Sequence, residues 1–449
     1  MGKSSVRTVG RWGHNVETEI VMNVGVLNKQ RQLFFALLVA SILPFAFAMN
    51  SVLFFALAVT FIFLLMNSVC TMTEKFLIAF CASVLFSGIS VFSLRPYDII
   101  IIFALFYVMM KKRMNLKICI KIFPFIIVVI CVCCINYTGD ALLESIRYVI
   151  SLLLLVVVLN IDGCSFDNLS SQFAIIGIAN IIMALLTFLL YTNGTLTNFS
   201  LGFIESNLFL SNRETRRVGF FSDPNKFMTF SFAMLFIIEY FMKKSKKKTF
   251  LILIYIIASI LSISRTAILV IAIYLGCKLL RKIEKDSKGL FYITMILGVF
   301  VLLFLFVLDG FEDLMNLAYS AMAKILNREW TASLGDTITE DNRFLIWKQA
   351  LEYIIKKPIL GNGWMSNTFL LPYPTHNTVL ALLLDGGIIA LLTFIVLFWP
   401  VIKLKRWEFT IPFVLVPSLL LDLQNYRMWF LILGLILISK KNEPKEEYI

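Results

Sequence analysis

Apolar runs separated by short polar breaks follow one another along almost the whole chain. They fall near 33–48, 50–68, 76–93, 98–110, 118–135, 141–160 and 172–191, then near 225–242, 249–263, 265–280, 290–308, 376–400, 408–421 and 427–439. A helix crosses a bilayer in roughly 20 residues, so the pattern predicts an all-α polytopic integral membrane protein with about 12–14 transmembrane helices. Residues Thr249 to Leu280 read as a hairpin, because lysines flank both ends and Arg265 sits in the middle.

Two stretches interrupt the rhythm. Residues 192–224 are rich in Asn, Thr, Ser and Phe and end in "RRVGFFSDPN". Residues 309–375 are longer and carry two amphipathic patterns. In "FEDLMNLAYSAMAKILN", Phe311, Leu314, Met315, Ala318, Met322 and Ile325 recur at helical spacing; in "DNRFLIWKQALEYIIKKP", Phe344, Trp347, Leu351, Ile354 and Ile355 do the same. Asp341 is the expected cap of the second helix and Pro358 its stop.

Composition agrees with a bilayer as the main solvent: 59% of residues are hydrophobic and 15% charged, with mean hydropathy +0.86. Net charge +13 is compatible with a nucleic-acid partner. The lysines and arginines, however, cluster between apolar runs, at Lys111 to Arg113, Lys243 to Lys248, Lys278 to Lys285 and Lys403 to Arg406. With the N-terminal tail inside, each of these clusters and Lys440 and Lys441 fall on the cytoplasmic side, so the charge reads as topology and nucleic acid is excluded as a partner. The expected layout is a cytoplasmic tail (1–32), N-terminal transmembrane helices (33–191), a first extracytoplasmic loop (192–224), central transmembrane helices (225–308), a large extracytoplasmic loop (309–375), C-terminal transmembrane helices (376–439) and a cytoplasmic tail (440–449). No cleavable signal peptide is expected, the first apolar run serving as an uncleaved anchor. The eight cysteines lie in or beside apolar runs or at Cys164, outside the two long loops, so a disulfide framework is not expected.

Reactive side chains gather at the predicted outer face. Arg213, Arg216 and Arg217 end the first loop, Arg265 marks the tip of a hairpin, Arg343 opens an amphipathic helix, and His376 stands where the second loop re-enters the membrane. Each arginine alone is explained by snorkelling to headgroups. Together they oppose the usual bias of positive charge toward the inside, and a phosphate-bearing ligand supplies the reason, since guanidinium groups bind phosphate oxygens bidentately. Gly219 permits close backbone approach, and the Asp223-Pro224-Asn225 turn caps the next helix with Pro224 in its first turn. Among the remaining polar groups, "PILGNGW" reads as a turn, Glu144 and Arg147 as an ion pair one helical turn apart, and Glu239 and Asp385 as buried acids with interior partners.

"RRVGFFSDPN", "SRTAIL", "DNRFLIWKQALEYIIKKPILGNGW" and "HNTVLALLLDGGIIA" resemble, in order and spacing, motifs of the O-antigen ligase and polymerase superfamily over about residues 210 to 395. Most specific is His-Asn, nine residues, then Gly: His376, Asn377 and Gly387. The ligase pattern usually continues with a Gly, Thr or Tyr three positions on, where this sequence has Ala390, a mild departure. The resemblance implies a GT-C-like membrane glycosyltransferase with two long extracytoplasmic loops. It implies an inverting, metal-independent transfer that uses no cofactor. The donor would be an undecaprenyl-diphosphate-linked oligosaccharide and the acceptor a glycan, with a flippase and a chain-length regulator as candidate partners. His376 would take or orient the proton of the attacking hydroxyl, histidine's ordinary pKa of about 6.5 suiting a base at neutral pH. Arg217 and Arg265, then Arg216 and Arg343, with Asn377, would bind the diphosphate.

Polymerisation of repeat units for O-antigen or capsule is the favoured activity, transfer to lipid A core by a ligase the alternative. A lipid-linked oligosaccharide flippase is the competing class. A transporter would show internal repeats and short loops, with charges spread through mid-membrane depth; this sequence shows no repeat, and its polar chemistry gathers on one face. The expected location is the bacterial cytoplasmic membrane, with both termini inside.

Overall fold

The computed structural model describes residues 12–111, 116–134, 139–160, 164–201, 203–206, 208, 217–262, 264–294, 296–297, 343–404, 406–421 and 426–442. Helices run in the order α1 (Trp12–Met49), α2 (Ser51–Asn67), α3 (Met72–Val84), α4 (Pro96–Lys111), α5 (Leu116–Cys133), α6 (Gly139–Asn160) and α7 (Ser170–Thr192). After the first long loop come α8 (Pro224–Phe241), α9 (Lys246–Leu261) and α10 (Arg265–Asp286). The last group is α11 (Arg343–Lys356), a short α12 (Ser366–Phe369), α13 (Thr378–Ile402), α14 (Trp407–Thr410), α15 (Val416–Leu420) and α16 (Arg427–Asn442). A π-helical turn, Ile411–Leu415, joins α14 to α15 where Pro412 and Pro417 break the regular ladder.

Local sequence explains where these helices start. The Asn50 side chain accepts the backbone N–H groups of Val52 and Leu53 at 2.9 and 3.0 Å, and Thr71 with Glu74 forms a reciprocal capping box on α3. Among the described residues, Asn28–Met49, Ser170–Thr192 and Thr378–Ile402 are long and apolar enough to cross a membrane, and shorter apolar helices accompany them. The chain is an all-α membrane protein. Its surface fits that solvent: Phe63, Phe103 and Phe106 are exposed on helix flanks, while the interior holds Phe54, Phe61, Phe80, Phe173 and Trp429.

The apolar run 76–93 departs from expectation. Its helix stops at Val84, and Ile89–Val91 forms strand β1. The first long loop supplies β2 (Ser200–Leu201) and β3 (Ile204–Ser206), giving an antiparallel sheet in the order β1-β3-β2. Pairing is Ile89 to Ser206, Ser90 to Glu205 and Val91 to Ile204. Backbone donors left over by the shortened helix are thus satisfied by a segment distant in sequence. The amphipathic pattern over 311–325, most of the apolar run at 290–308 and the Asp341 cap lie outside the described residues.

Candidate active site

The motif ending the first long loop is built as an anchor. Phe220 packs against Phe54, Phe47 and Phe86 with ring centroids 4.8, 5.2 and 6.0 Å apart, and Phe221 packs against Phe227 and Phe230. Both phenylalanines are fully buried. The Gly88 N–H donates to the Phe220 carbonyl at 2.8 Å, tying the motif to the strand side of the bundle. Gly219 adopts φ 58°, Asp223 caps α8 by accepting the Asn225 N–H, and Pro224 occupies the first turn as expected.

This anchoring places Arg217. Its backbone N–H donates to the Leu261 carbonyl at 3.3 Å, at the end of α9, and its guanidinium lies 4.4 Å from the centre of the Phe188 ring on α7. Arg265 begins α10, three residues after the α9 cap at Ser262. Arg217 and the Arg265 backbone therefore stand at the same end of the bundle. Arg213 and Arg216 lie outside the described residues, as do the side chains of Arg265, Arg343 and Glu144.

His376 sits at that same end, in front of α13. It is half-buried and adopts φ 48°, a left-handed conformation that costs a non-glycine residue roughly 1–3 kcal/mol. Its neighbours hold it there. The Thr375 N–H donates to Asn367 Oδ1 at 2.9 Å, and the Thr375 carbonyl accepts the Trp347 indole N–H at 2.8 Å. Asn377 caps α13, its Oδ1 accepting the N–H groups of Val379 and Leu380 at 3.0 and 3.1 Å. Its Nδ2 donates to the Leu419 carbonyl at 3.2 Å, and the Thr378 hydroxyl donates to that of Leu421 at 2.7 Å. Trp347 lies one turn beyond Arg343, so α11 brings the start of Arg343's helix toward His376.

Below His376, α13 is broken. Gly387 has φ 62° and ψ −163°, and a side chain there would run into the Ile359 carbonyl. The break strips helical partners from backbone groups on both sides, and the "PILGNGW" turn replaces them. Asn362 and Gly363 donate N–H bonds to the carbonyls of Leu384 (2.9 Å) and Asp385 (3.0 Å), and the Ile388 N–H donates to the Pro358 carbonyl at 2.9 Å. A Cβ at Gly361 would stand 2.5 Å from the Asp385 carbonyl oxygen, so both glycines are needed for the two segments to interlock. The buried Asp385 carboxylate accepts the Asn367 N–H at 2.8 Å, and Asn367 in turn holds Thr375. A continuous polar path thus runs from the helix break to the residue beside His376.

Sequence reasoning selected His376, Asn377 and Gly387 but not Trp347, Asn362 or Asn367, whose roles depend on contacts across 8 to 28 positions. Trp347 was legible only as part of an apolar helix face. Among the described residues no group of His, Cys, Asp and Glu has the arrangement of a metal site.

The chemistry of this arrangement is a half-buried imidazole held rigidly between an interrupted helix and a tethered loop, with arginine-bearing segments at the same end. The segment that contains it, residues 250–395, matches the family described as O-antigen ligase. No curated protein matches the chain. The family match covers Arg265, Arg343, the "PILGNGW" turn, His376 and the α13 break, and a glycosyl-transferring enzyme of the ligase or polymerase type is what that family implies. The apolar helices and this match, which spans residues 250–395 of a 449-residue chain, support a bacterial membrane protein related to the O-antigen ligase and polymerase superfamily.

Proposed function

We propose that the protein polymerises undecaprenyl-diphosphate-linked oligosaccharide repeat units on the outer face of the cytoplasmic membrane, by inverting transfer without a metal. The observation that carries this reading is His376, held in a left-handed backbone conformation at the mouth of the broken helix within the matched segment. A strained, braced imidazole suits a group that orients the acceptor hydroxyl and accepts its proton while the hydroxyl oxygen forms its bond to the anomeric carbon. The anomeric carbon–oxygen bond to the diphosphate breaks in the same step, and the lipid diphosphate leaves with the electron pair. Arg217 and Arg265, with Arg216 and Arg343, neutralise the charge that grows on it. Asn377, already engaged as a cap, holds His376 in place.

The ligase reading has one observation in its favour, the description of the matching family. Both readings share the transfer step and differ in acceptor. Purified protein in detergent, given a lipid-linked glycan and no membrane gradient, is expected to lengthen the glycan; absence of product would overturn the transferase reading and favour transport. Deletion in the source bacterium separates the two acceptors. Lipid A core bearing a single repeat unit means polymerase, bare core means ligase, and unchanged core glycans point to a capsule polymer.

A further inference from the structure

The three-stranded sheet presents an open face beside the Arg217 motif. Gly88, next to β1, donates its N–H to the Phe220 carbonyl at 2.8 Å, and a Cβ on Gly88 would stand 2.6 Å from that oxygen. A close backbone contact therefore fastens the sheet to the chain three residues after Arg217. Side chains alternate across a strand, and the register sets Ser90 opposite Glu205 and Glu205 opposite Ser200. These three form one row on the side away from the buried Ile89, Ile204 and Ser206. Glu205 is exposed and forms no ion pair with the described residues.

Two residues along from Ser90 and Glu205 stands a stacked ring pair. Phe92 and Phe203 lie with ring centroids 5.2 Å apart and planes at 19°, and they remain 75% and 49% exposed. Phe92 is held there against its backbone preference. Val91 and Leu94 exchange N–H···O bonds at 2.7 and 2.9 Å around a two-residue turn, in which Phe92 and Ser93 adopt φ 49° and 62°. Such turns favour Asn-Gly, and a bulky residue at positive φ is an outlier. The Phe92 N–H donates to the Phe203 carbonyl at 2.8 Å, and Arg147 Nε donates to the Ser93 carbonyl at 3.1 Å, so neighbours enforce the conformation. Burial does not offset the strain, because the ring faces outward; a ligand lying on it does.

The surrounding chemistry selects that ligand. Rings that anchor a protein in a bilayer are accompanied by cations or interfacial Trp and Tyr, whereas a carboxylate beside them opposes both hydrocarbon and anionic headgroups. A flat apolar surface next to a carboxylate and two hydroxyls matches a sugar ring, which offers a face of C–H groups and a rim of hydroxyl donors.

We propose that this face of the sheet docks a sugar of the repeat unit, its C–H face on the Phe92–Phe203 pair and its hydroxyls on Glu205, Ser90 and Ser200. The assignment rests on the transferase reading above, in which Arg217 holds the diphosphate. The Gly88–Phe220 bond then fixes the spacing between the lipid headgroup and the glycan, and the sheet selects which sugar is accepted.

Oligosaccharide released from the source bacterium's surface glycan, free of lipid and diphosphate, is the probe. It is titrated into full-length protein in nanodiscs and followed by saturation-transfer NMR. Phe92→Asn is expected to weaken binding about tenfold while the melting temperature holds or rises, since asparagine tolerates positive φ. Glu205→Gln should weaken it about fivefold, the charge-assisted bonds being lost and the shape kept. In the transfer assay both variants should raise KM for the lipid-linked repeat unit by similar factors with kcat little changed. Unchanged affinity in the two folded variants, or no binding by the wild type, would overturn the docking face. Phe92→Trp in nanodiscs adds a further check: quenching of the added fluorescence by bromine-labelled lipid tails would overturn the proposal and make the ring pair a membrane anchor. A wild-type protein that binds the oligosaccharide but never transfers a glycan would sink the transferase reading and leave the docking face standing.

Discussion

Helix α8 carries charge near both ends, and the two ends treat it differently. Near its C-terminus Glu239 is buried, with Lys248 Nζ at 3.2 Å and Lys278 Nζ at 2.5 Å, and it accepts the Tyr274 hydroxyl. Lys248 also donates to the carbonyls of Glu239 and Met242 at 2.8 and 3.0 Å. At the N-terminus, Lys226 lines a small cavity with Arg95 and Arg427, the latter paired with the buried Asp98 at 3.1 Å. A closed network of mixed charge ties three helices together, whereas Lys226 Nζ donates to Ser222 Oγ only four positions earlier in the chain. The same helix is thus cross-linked to α9 and α10 at one end and carries a locally bonded lysine at the other.

That contrast can be broken by experiment. The largest expected effect belongs to the His376 end: His376→Ala should lower turnover by roughly 10²–10⁴ with the melting temperature and donor binding little changed. Full activity in a stable His376→Ala protein would remove the base from the mechanism. At the opposite end, Glu239→Ala should cost roughly 3 kcal/mol of stability by stranding the buried Lys248 ammonium, while the folded fraction turns over normally. A catalytic loss without a drop in stability would erase the distinction between the ends.

Smaller effects sharpen it. Gly387→Ala should cost about 1–3 kcal/mol or more, because its φ is disfavoured for alanine and the methyl meets the Ile359 carbonyl; loss of activity should accompany it as the path from Asp385 to Thr375 shifts. Arg217→Lys is expected to reduce transfer about tenfold, since an ammonium keeps the charge but loses the planar fork and the stacking on Phe188. Normal kinetics for this variant would leave Arg217 as an interfacial anchor. Asn377→Ala should be the mildest, about 1 kcal/mol from the lost cap, read by thermal unfolding.

Most of the helical organisation was legible in the sequence, because apolar run length is a local property that the bilayer selects directly. The Asp223-Pro224 start of α8, the stop near Pro358 and interior partners for Glu239 and Asp385 were legible for the same kind of reason: caps, breakers and buried charges obey short-range rules. The run 76–93 was not, since its last residues are as apolar as a helix and become a strand only because β3 arrives to pair with them. Arg147 shows the same limit: it donates to the Ser93 carbonyl on a distant turn, a contact that helical spacing does not announce.

His376, Asn377 and Gly387 stood out by spacing, yet spacing gave no hint that Gly387 breaks its helix or that the "PILGNGW" turn fills the gap. Both facts are matters of backbone hydrogen bonds between segments more than twenty residues apart, which composition and periodicity do not encode. The small cavity at the start of α8 is the extreme case. Arg95, Lys226 and Arg427 are separated by 131 and 201 positions, and each alone reads as a headgroup anchor. The sequence by itself determined the solvent, the helices and the candidate base, because hydropathy and capping act locally. Only the tertiary structure decided which charges meet, because three helix N-termini must converge before their cations line one cavity.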